Sequence, residues 1–334
     1  MFSRSGSRDE RAAEKGGREC RDESVSLGPT TNHQRPNCFT VDVEDFFHVS
    51  AFEAVCPPDT WDRWELRVER NTERMLALLD EHRVRATFFV LGWVAERCPG
   101  LVRRIHGAGH EVACHGHGHR RVNTLDREEF RQDVRRAKAL LEDLVGEAVL
   151  GYRAPSYSIG PTSLWAFDEL VEAGFAYDSS VFPVRHDLYG LSEWPRFPFR
   201  LERLDGEGAG NWVPAGGRGP NDAPSLLEVP ITPVRLWGRN WPAAGGGYFR
   251  LLPYPVTRWA LRRIRERDGR PFVFYVHPWE IDPAQPRIEG AGLKSRFRHY
   301  LNLHRTEPRL RRLLSEFPFG PIRDVVPGLA PPSP

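Results

Sequence analysis

The sequence predicts an α/β protein built on a parallel sheet or barrel. Strand-like and helix-like segments alternate along most of the 334 residues, the pattern that favours such a sheet. Polar side chains also stand where the strands end: Asp42, Glu44 and Asp45, then His115, Arg153, Asp178 and His277. In a parallel barrel those ends gather on one face, and the active site lies there. The length admits one large domain with extensions, or two domains.

Taken in order, residues 1–35 are polar and without periodicity and read as a disordered segment. Asn37–Val43 (NCFTVDV) is the first strand. Phe46-Phe47-His48 then leads into a loop with Pro57-Pro58, Trp61 and Trp64. Glu69–Arg83 is an amphipathic helix with Met75, Leu76, Leu78 and Leu79 on its apolar side. Val84–Leu91 (VRATFFVL) is a buried strand, and Val94–Ala108 a helix carrying Leu101, Val102 and Ile105. Glu111–Cys114, bounded by Gly109, is a strand that Gly116 and Gly118 stop. Leu125–Val145 is the longest helix, with Asp126 as N-cap and Glu129 three residues on, a capping box. Ala148–Tyr152 is a short strand ending at Arg153. Thr162–Ala173 is a helix closed by Gly174, and Phe175–Asp178 a brief strand. Residues 182–225 hold many Gly and Pro and read as a long excursion with a possible hairpin. Ser225–Ile231 is a strand, Ala243–Arg250 a glycine-rich loop, and Val256–Asp268 a basic helix. Pro271–Val276 (PFVFYV) is the most buried strand, ended by His277. Phe297–Leu314 holds the last helical pattern.

Composition excludes several function classes. The 47 basic and 45 acidic residues leave a formal charge of +2, which argues against a nucleic-acid surface. The five cysteines, Cys20, Cys38, Cys56, Cys98 and Cys114, form no CxxC pair and are odd in number, so no disulfide framework is expected. Cys38 and Cys114 fall in strands and read as small buried apolar residues. No run approaches the roughly 18 apolar residues of a membrane span. The N-terminus is charged and lacks an apolar core, so no signal peptide is expected and the default location is cytoplasmic. Oligomeric state is not legible.

The stretch His110–His119 holds four of the 12 histidines. Imidazole is a common metal ligand. His115 and His119, four apart, can meet one ion if the chain turns helically after Cys114. Carboxylates with two histidines suggest a divalent ion held by mixed oxygen and nitrogen ligands, with positions open for water and substrate. A remaining carboxylate can act as general base, and Arg153 can hold it ionised. His277 is a candidate general acid, which Asp178 could orient. The inventory is that of metal-assisted hydrolysis of an acyl bond.

The segments Thr40-Val-Asp-Val-Glu-Asp45, His115-Gly-His-Gly-His119, Tyr152-Arg-Ala-Pro-Ser-Tyr157, Tyr177-Asp178 and Tyr275-Val-His-Pro-Trp279 resemble, in order and spacing across residues 36–280, the motifs of NodB-homology polysaccharide deacetylases, carbohydrate esterase family 4. Gly245–Pro253 and Val276–Pro286 resemble the subgroup found beside exopolysaccharide and PEP-CTERM/exosortase loci, and the last fifty residues resemble its C-terminal extension. The resemblance implies a distorted (β/α) barrel with fewer than eight units, a deacetylase domain over 36–284, and an extension over 285–334 packed on the barrel. It implies that Asp42 is the general base, that His115 and His119 bind the metal, and that Arg153 pairs with the base. The family's metal-binding Asp usually follows the base, where this chain has Val43; Glu44 or Asp45 substitutes, and the acid-Val-acid pattern of some relatives favours Glu44. It further implies that a backbone N–H near Ser156 helps stabilise the oxyanion, and that Asp178 and His277 form the pair protonating the leaving amine. His117 matches no ligand. The implied reaction is removal of N-acetyl groups from an amino-sugar polymer or oligomer, with zinc the default among divalent ions.

Several residues lie beside this scheme. Trp241 and Tyr248 flank the glycine-rich loop and, with Tyr157, are candidates to line a sugar groove. The run Gly245–Gly247 is no phosphate loop. The helix Arg258–Arg267 reads as a solvated face that could contact an anionic polymer. Two rivals remain: a nucleotide-sugar glycosyltransferase using Asp42-Val-Glu44, which leaves the histidines and Arg153 unexplained, and a catalytically silent polysaccharide-binding protein on the same fold.

Overall fold

The computed structural model describes residues 35–185, 190–204, 210, 212–215 and 225–329. The segment read as disordered, with Cys20, lies almost wholly outside them. The strands are β1 (Asn37–Val43), β2 (Thr87–Val90), β3 (Glu111–Cys114), β4 (Gly151–Tyr152), β5 (Tyr177–Asp178), β6 (Phe199–Arg203), β7 (Trp212–Pro214), β8 (Ser225–Glu228), β9 (Val234–Leu236), β10 (Arg239–Trp241), β11 (Val273–Val276) and β12 (Phe319–Gly320). The helices are α1 (Val68–Glu81), α2 (Gly92–Arg97), α3 (Pro99–Gly107), α4 (Arg127–Val145), α5 (Ala166–Glu172), α6 (Gly246–Leu251), α7 (Tyr254–Arg263), α8 (Leu293–Tyr300), α9 (Leu303–Glu316) and α10 (Ile322–Val325).

Seven of the described strands run parallel in the order β11-β1-β2-β3-β4-β5-β8. The excursion after β5 adds the antiparallel pair β6 and β7 at the β8 edge, the expected hairpin. Among the described residues, no strand ladder closes the ring between β8 and β11. Instead Thr232 Oγ1, just beyond β8, accepts the Val273 N–H at 3.0 Å, and Gly245 bridges Tyr275. The result is a distorted barrel with fewer than eight parallel units.

Side-chain parity sorts the sheet into two faces, because successive strand residues point oppositely. Phe39, Val41, Val43, Phe88, Val90, Val112, Cys114, Phe274 and Val276 join the large core under the helices. Cys38, Phe89, Ala113, Tyr177, Leu227, Val273 and Tyr275 form a second cluster inside the barrel. Strands buried on both faces read as continuous apolar runs, which is why β1, β2 and β11 stand out in the sequence. Cys38 and Cys114 are buried free thiols, as expected.

Three elements differ from expectation. The helix expected over 94–108 is two helices, α2 and α3, because Pro99 starts a new one and Cys98 leaves helical geometry. The last helical pattern is likewise broken, at Asn302 in the left-handed region (φ 54). The glycine-rich loop is in part a helix, α6. Gly245 (φ 122) makes this possible: a β-carbon there would stand 2.0 Å from the Tyr275 carbonyl oxygen, so only glycine lets the turn seat against β11. By contrast, α4 carries both arms of the Asp126/Glu129 capping box and closes on Gly146 at φ 74. The segment read as an extension joins the sheet through β12, beside β1, and sends Leu310, Leu313, Leu314, Phe317 and Phe319 into the large core. No described helix is long and apolar enough to cross a membrane.

Candidate active site

Asp42 lies within β1, on the parity that faces the barrel interior. Its Oδ1 takes Arg153 Nη1 at 2.6 Å, and neither side chain is appreciably exposed. Arg153 follows β4 and is fixed on every side. Nη1 also donates to Thr40 Oγ1, Nη2 to Ser179 Oγ and Nε to the Ser179 carbonyl, and the guanidinium lies 4.0 Å from the Phe89 ring centroid. Burial lowers the pKa of Arg153, but the Asp42 carboxylate outweighs it and the pKa is raised.

Glu44, His115 and His119 present ligand atoms all within 4.8 Å of one another, each residue buried. The chain reaches this arrangement by turning through Gly116 (φ 73) and His119 (φ 49) after β3. A left-handed histidine costs about 1–2 kcal/mol, so surrounding contacts must hold it there. His115 Nδ1 lies 2.8 Å from the Arg153 carbonyl oxygen. Donating there leaves Nε2 as the free lone pair, the tautomer a metal-binding imidazole needs. Burial pushes the His115 pKa down to about 4, so the ring is neutral at pH 7. Burial opposes ionisation of Glu44, but the neighbouring His119 and His277 outweigh it and hold its pKa well below the usual range. Glu44 Oε2 is 2.5 Å from His119 Nε2 yet outside hydrogen-bond geometry. A buried carboxylate, two imidazoles and an oxygen without a hydrogen-bond donor fit a divalent cation.

Asp45 does not join this cluster. Its carboxylate accepts the backbone N–H groups of Phe46, Arg67 and Val68, capping the start of α1. Parity explains the difference, since Glu44 continues the inward set of β1 and its neighbour points out.

His277, at the end of β11, places Nε2 3.5 Å from Glu44 Oε1 and 3.8 Å from Asp42 Oδ2. The expected Asp178–His277 pair is absent. Tyr177 points inward, its hydroxyl on Glu111, so Asp178 falls on the opposite face. There it accepts the Ser180 N–H and hydroxyl and shares a buried contact with Glu228. The carboxylate on His277 is Glu280, 2.7 Å from Nδ1. Sequence reasoning missed it, although Glu280 lies three residues after His277, the spacing at which an acid reaches back to the N-cap backbone N–H, as it does here at 3.0 Å. Burial lowers the His277 pKa, but Glu44, Glu280 and Asp42 together raise it to about 9. Trp279, read from the sequence only as a core or sugar-stacking residue, and Arg250, not singled out at all, also belong here. Trp279 Nε1 donates to Glu44 Oε1 at 3.2 Å, and Arg250 Nε to Glu280 Oε2 at 2.7 Å.

These groups open on a cleft of about 380 Å³, lined also by Ser156, Tyr157, Tyr248, Tyr275, Leu251 and Phe297. Ser156 and Tyr157 both sit at left-handed φ, 55 and 54, where the chain turns beneath the cleft. Trp241 does not line it. It lies half-exposed on the separate β9–β10 hairpin, paired with Val234. His117 faces Glu96, away from the cluster.

An incomplete parallel barrel with an acid–His–His cluster beside a buried Asp–Arg pair defines an α/β-barrel protein with a candidate metal centre. Residues 59–173 match the family model for polysaccharide deacetylase, and residues 179–327 a domain of unknown function, DUF3473. A peptidoglycan-N-acetylglucosamine deacetylase of Bacillus cereus is 33% identical over 99 residues, 29% of this chain and 36% of the relative. A peptidoglycan deacetylase of Helicobacter pylori is 28% identical over 239 residues, 66% of this chain and 75% of the relative. The chain thus spans about a third of the first and three quarters of the second. A Mycobacterium smegmatis crystal structure assigned to the polysaccharide deacetylases shares the fold, with a TM-score of 0.53 at 20% identity, covering 89% of this chain and 88% of its own. The chain is thus similar to the polysaccharide deacetylases over residues 59–173 and shares the fold of one of them. His115, His119 and Arg153 fall in the first matched region, His277, Trp279, Glu280 and Arg250 in the second, and Asp42 and Glu44 before both.

Proposed function

We propose that the protein hydrolyses N-acetyl groups on an amino-sugar polymer, an exopolysaccharide or its precursor, in a metal-dependent reaction. The observation that carries this is the meeting of Asp42–Arg153, Glu44–His115–His119 and His277 at one cleft. Glu44, His115 and His119 would hold the divalent ion, zinc by default. Bound there, it would acidify water and polarise the acetyl carbonyl. Asp42, ion-paired with Arg153, takes the proton of the attacking water as the new C–O bond forms. A backbone N–H near Ser156, which lines the cleft, would help stabilise the developing oxyanion. His277 delivers a proton from Nε2 to the sugar nitrogen as the C–N bond breaks, leaving acetate and a free amine. The tyrosines and Phe297 offer apolar faces to sugar rings, and the cleft volume is within the range of ligand pockets.

The test is acetate release from N-acetylglucosamine oligomers by zinc-loaded protein, with Asp42→Asn and His115→Ala alongside. Release by wild type only, abolished by chelator, supports the assignment. Equal release by both variants overturns it. Tight zinc binding with no release and measurable polymer binding favours a silent polysaccharide-binding protein instead.

A further inference from the structure

Resting on the proton-donor reading of His277 above, we propose that Glu280 and Arg250 are its positioning residues, supplied with their anchor by the second half of the chain. For Nε2 to face Asp42 and Glu44 with a proton to give, Nδ1 must hold its own proton on a fixed acceptor. Glu280 Oε1 is that acceptor, 2.7 Å from Nδ1, and it also takes the His277 backbone N–H at 3.0 Å. One carboxylate oxygen therefore fixes both the ring and the backbone of the same histidine.

The carboxylate is itself held. Glu280 is fully buried, and its Oε2 accepts Arg250 Nε at 2.7 Å. Arg250, from α6, turns its Nη1 onto the carbonyls of Arg298, His299 and Leu301, where α8 ends and acceptors would otherwise be orphaned. The guanidinium thus joins the acid's support to a helix whose Phe297 and Arg298 line the cleft. The ring plane is held as well. Trp279 stacks on His277 (5.1 Å, 20°) and on His299 (4.3 Å, 17°), and His299 is fixed by Gln285 Oε1 at 2.7 Å. A purely structural ion pair accounts for Arg250 and the carbonyls. It does not account for the carboxylate oxygen on the imidazole.

The test is Glu280→Gln in the full chain. Arg250 can only donate, so it draws the amide oxygen and turns the amide NH₂ toward Nδ1, which also leaves the His277 backbone N–H without its acceptor. Nδ1 then becomes an acceptor, and the neutral ring keeps its proton on Nε2. Nitrogen-15 NMR of His277 in zinc-loaded protein, recorded above the pKa of about 9 where the ring is neutral, should show the proton moved from Nδ1 to Nε2, whatever the activity. On N-acetylglucosamine oligomers kcat should fall about 10²–10⁴-fold, the scale seen when a histidine is left in the wrong tautomer. KM and zinc affinity should stay within about threefold. Adding Arg250→Met frees the amide to flip and should restore part of kcat. An unchanged tautomer with kcat within twofold of wild type overturns the proposal. So does a loss of kcat accompanied by equal loss of zinc affinity or of folding, which marks a structural pair. Inversion of the tautomer in a protein whose wild type releases no acetate supports the positioning and sinks the deacetylase reading alone.

Discussion

Trp279 donates its indole N–H to Glu44 Oε1 at 3.2 Å while its ring stacks between His277 and His299. The bond orients a carboxylate whose other oxygen faces His119. Partners behind a ligand typically change metal affinity 10–100-fold when removed. Trp279→Phe keeps an aromatic ring in the stack and deletes the donor. We expect zinc affinity, read by competition with a chromophoric chelator, to drop about tenfold with little change in thermal stability. Unchanged affinity would show that Glu44 needs no such support.

The adjacent acids should separate cleanly. Glu44→Ala removes one of the three proposed ligands and should abolish stoichiometric zinc binding while the apo fold survives. Asp45→Ala should leave zinc bound but strand the backbone N–H groups of Phe46, Arg67 and Val68. At about 1–3 kcal/mol for a buried donor left unpaired, partly relieved by water, a loss of roughly 2–4 kcal/mol is expected in denaturant unfolding. Zinc lost from the Asp45 variant and kept by the Glu44 variant would reverse the assignment.

A pH dependence is expected away from the cleft. His110 is buried, its Nδ1 accepting the Ala86 N–H at 3.1 Å. Burial, with Arg85 adding to it, lowers its pKa to about 4. The folded pKa lies below the unfolded value, so the stability His110 contributes is complete above about 6.5 and is lost as the pH falls toward 4. The loss reaches about 2–3 kcal/mol at pH 4.5. His110→Asn keeps an acceptor and cannot titrate. Urea unfolding between pH 7 and 4.5 should show the variant losing less stability than wild type; parallel slopes would refute it.

Much of the framework was legible because its causes are local. Asn37–Val43 and Glu111–Cys114 were read to the residue, since strands buried on both faces leave continuous apolar runs. The Asp126 box needed only four residues. Gly246–Gly247 opening a helix was not legible, because glycine disfavours helix and only the close approach to Tyr275 demands it. At the site, the strand ends brought Asp42, His115, Arg153 and His277 together as expected. Asp178 failed for want of parity, a signal already present in Tyr177 beside it. Arg250 was hidden because its partners lie 30 to 51 residues away, and nothing local marks such a contact.

That misplaced carboxylate has its own consequence. Asp178 and Glu228 are both fully buried and in contact, and burial together with the Asp178 charge raises the Glu228 pKa well above the ordinary value. Two carboxylates so placed share one proton. An acid whose folded pKa is raised penalises the fold increasingly as the pH climbs from the unfolded value toward the folded one. Glu228→Gln removes the need for that proton: its oxygen can still accept the Val181 N–H, as Glu228 Oε1 does at 3.0 Å, and its amide can donate to Asp178. The variant should match wild type at pH 5 and melt higher at pH 9. Asp178→Ala should lose about 1–3 kcal/mol at both, since the Ser180 N–H and hydroxyl lose their acceptor. Because the pair lies on the far face of the sheet from His277, Glu228→Gln should leave kcat within about twofold, against the loss expected for Glu280→Gln. Equal pH slopes for wild type and Glu228→Gln would mean that no proton is shared, and a large fall in kcat would return Asp178 to the acid.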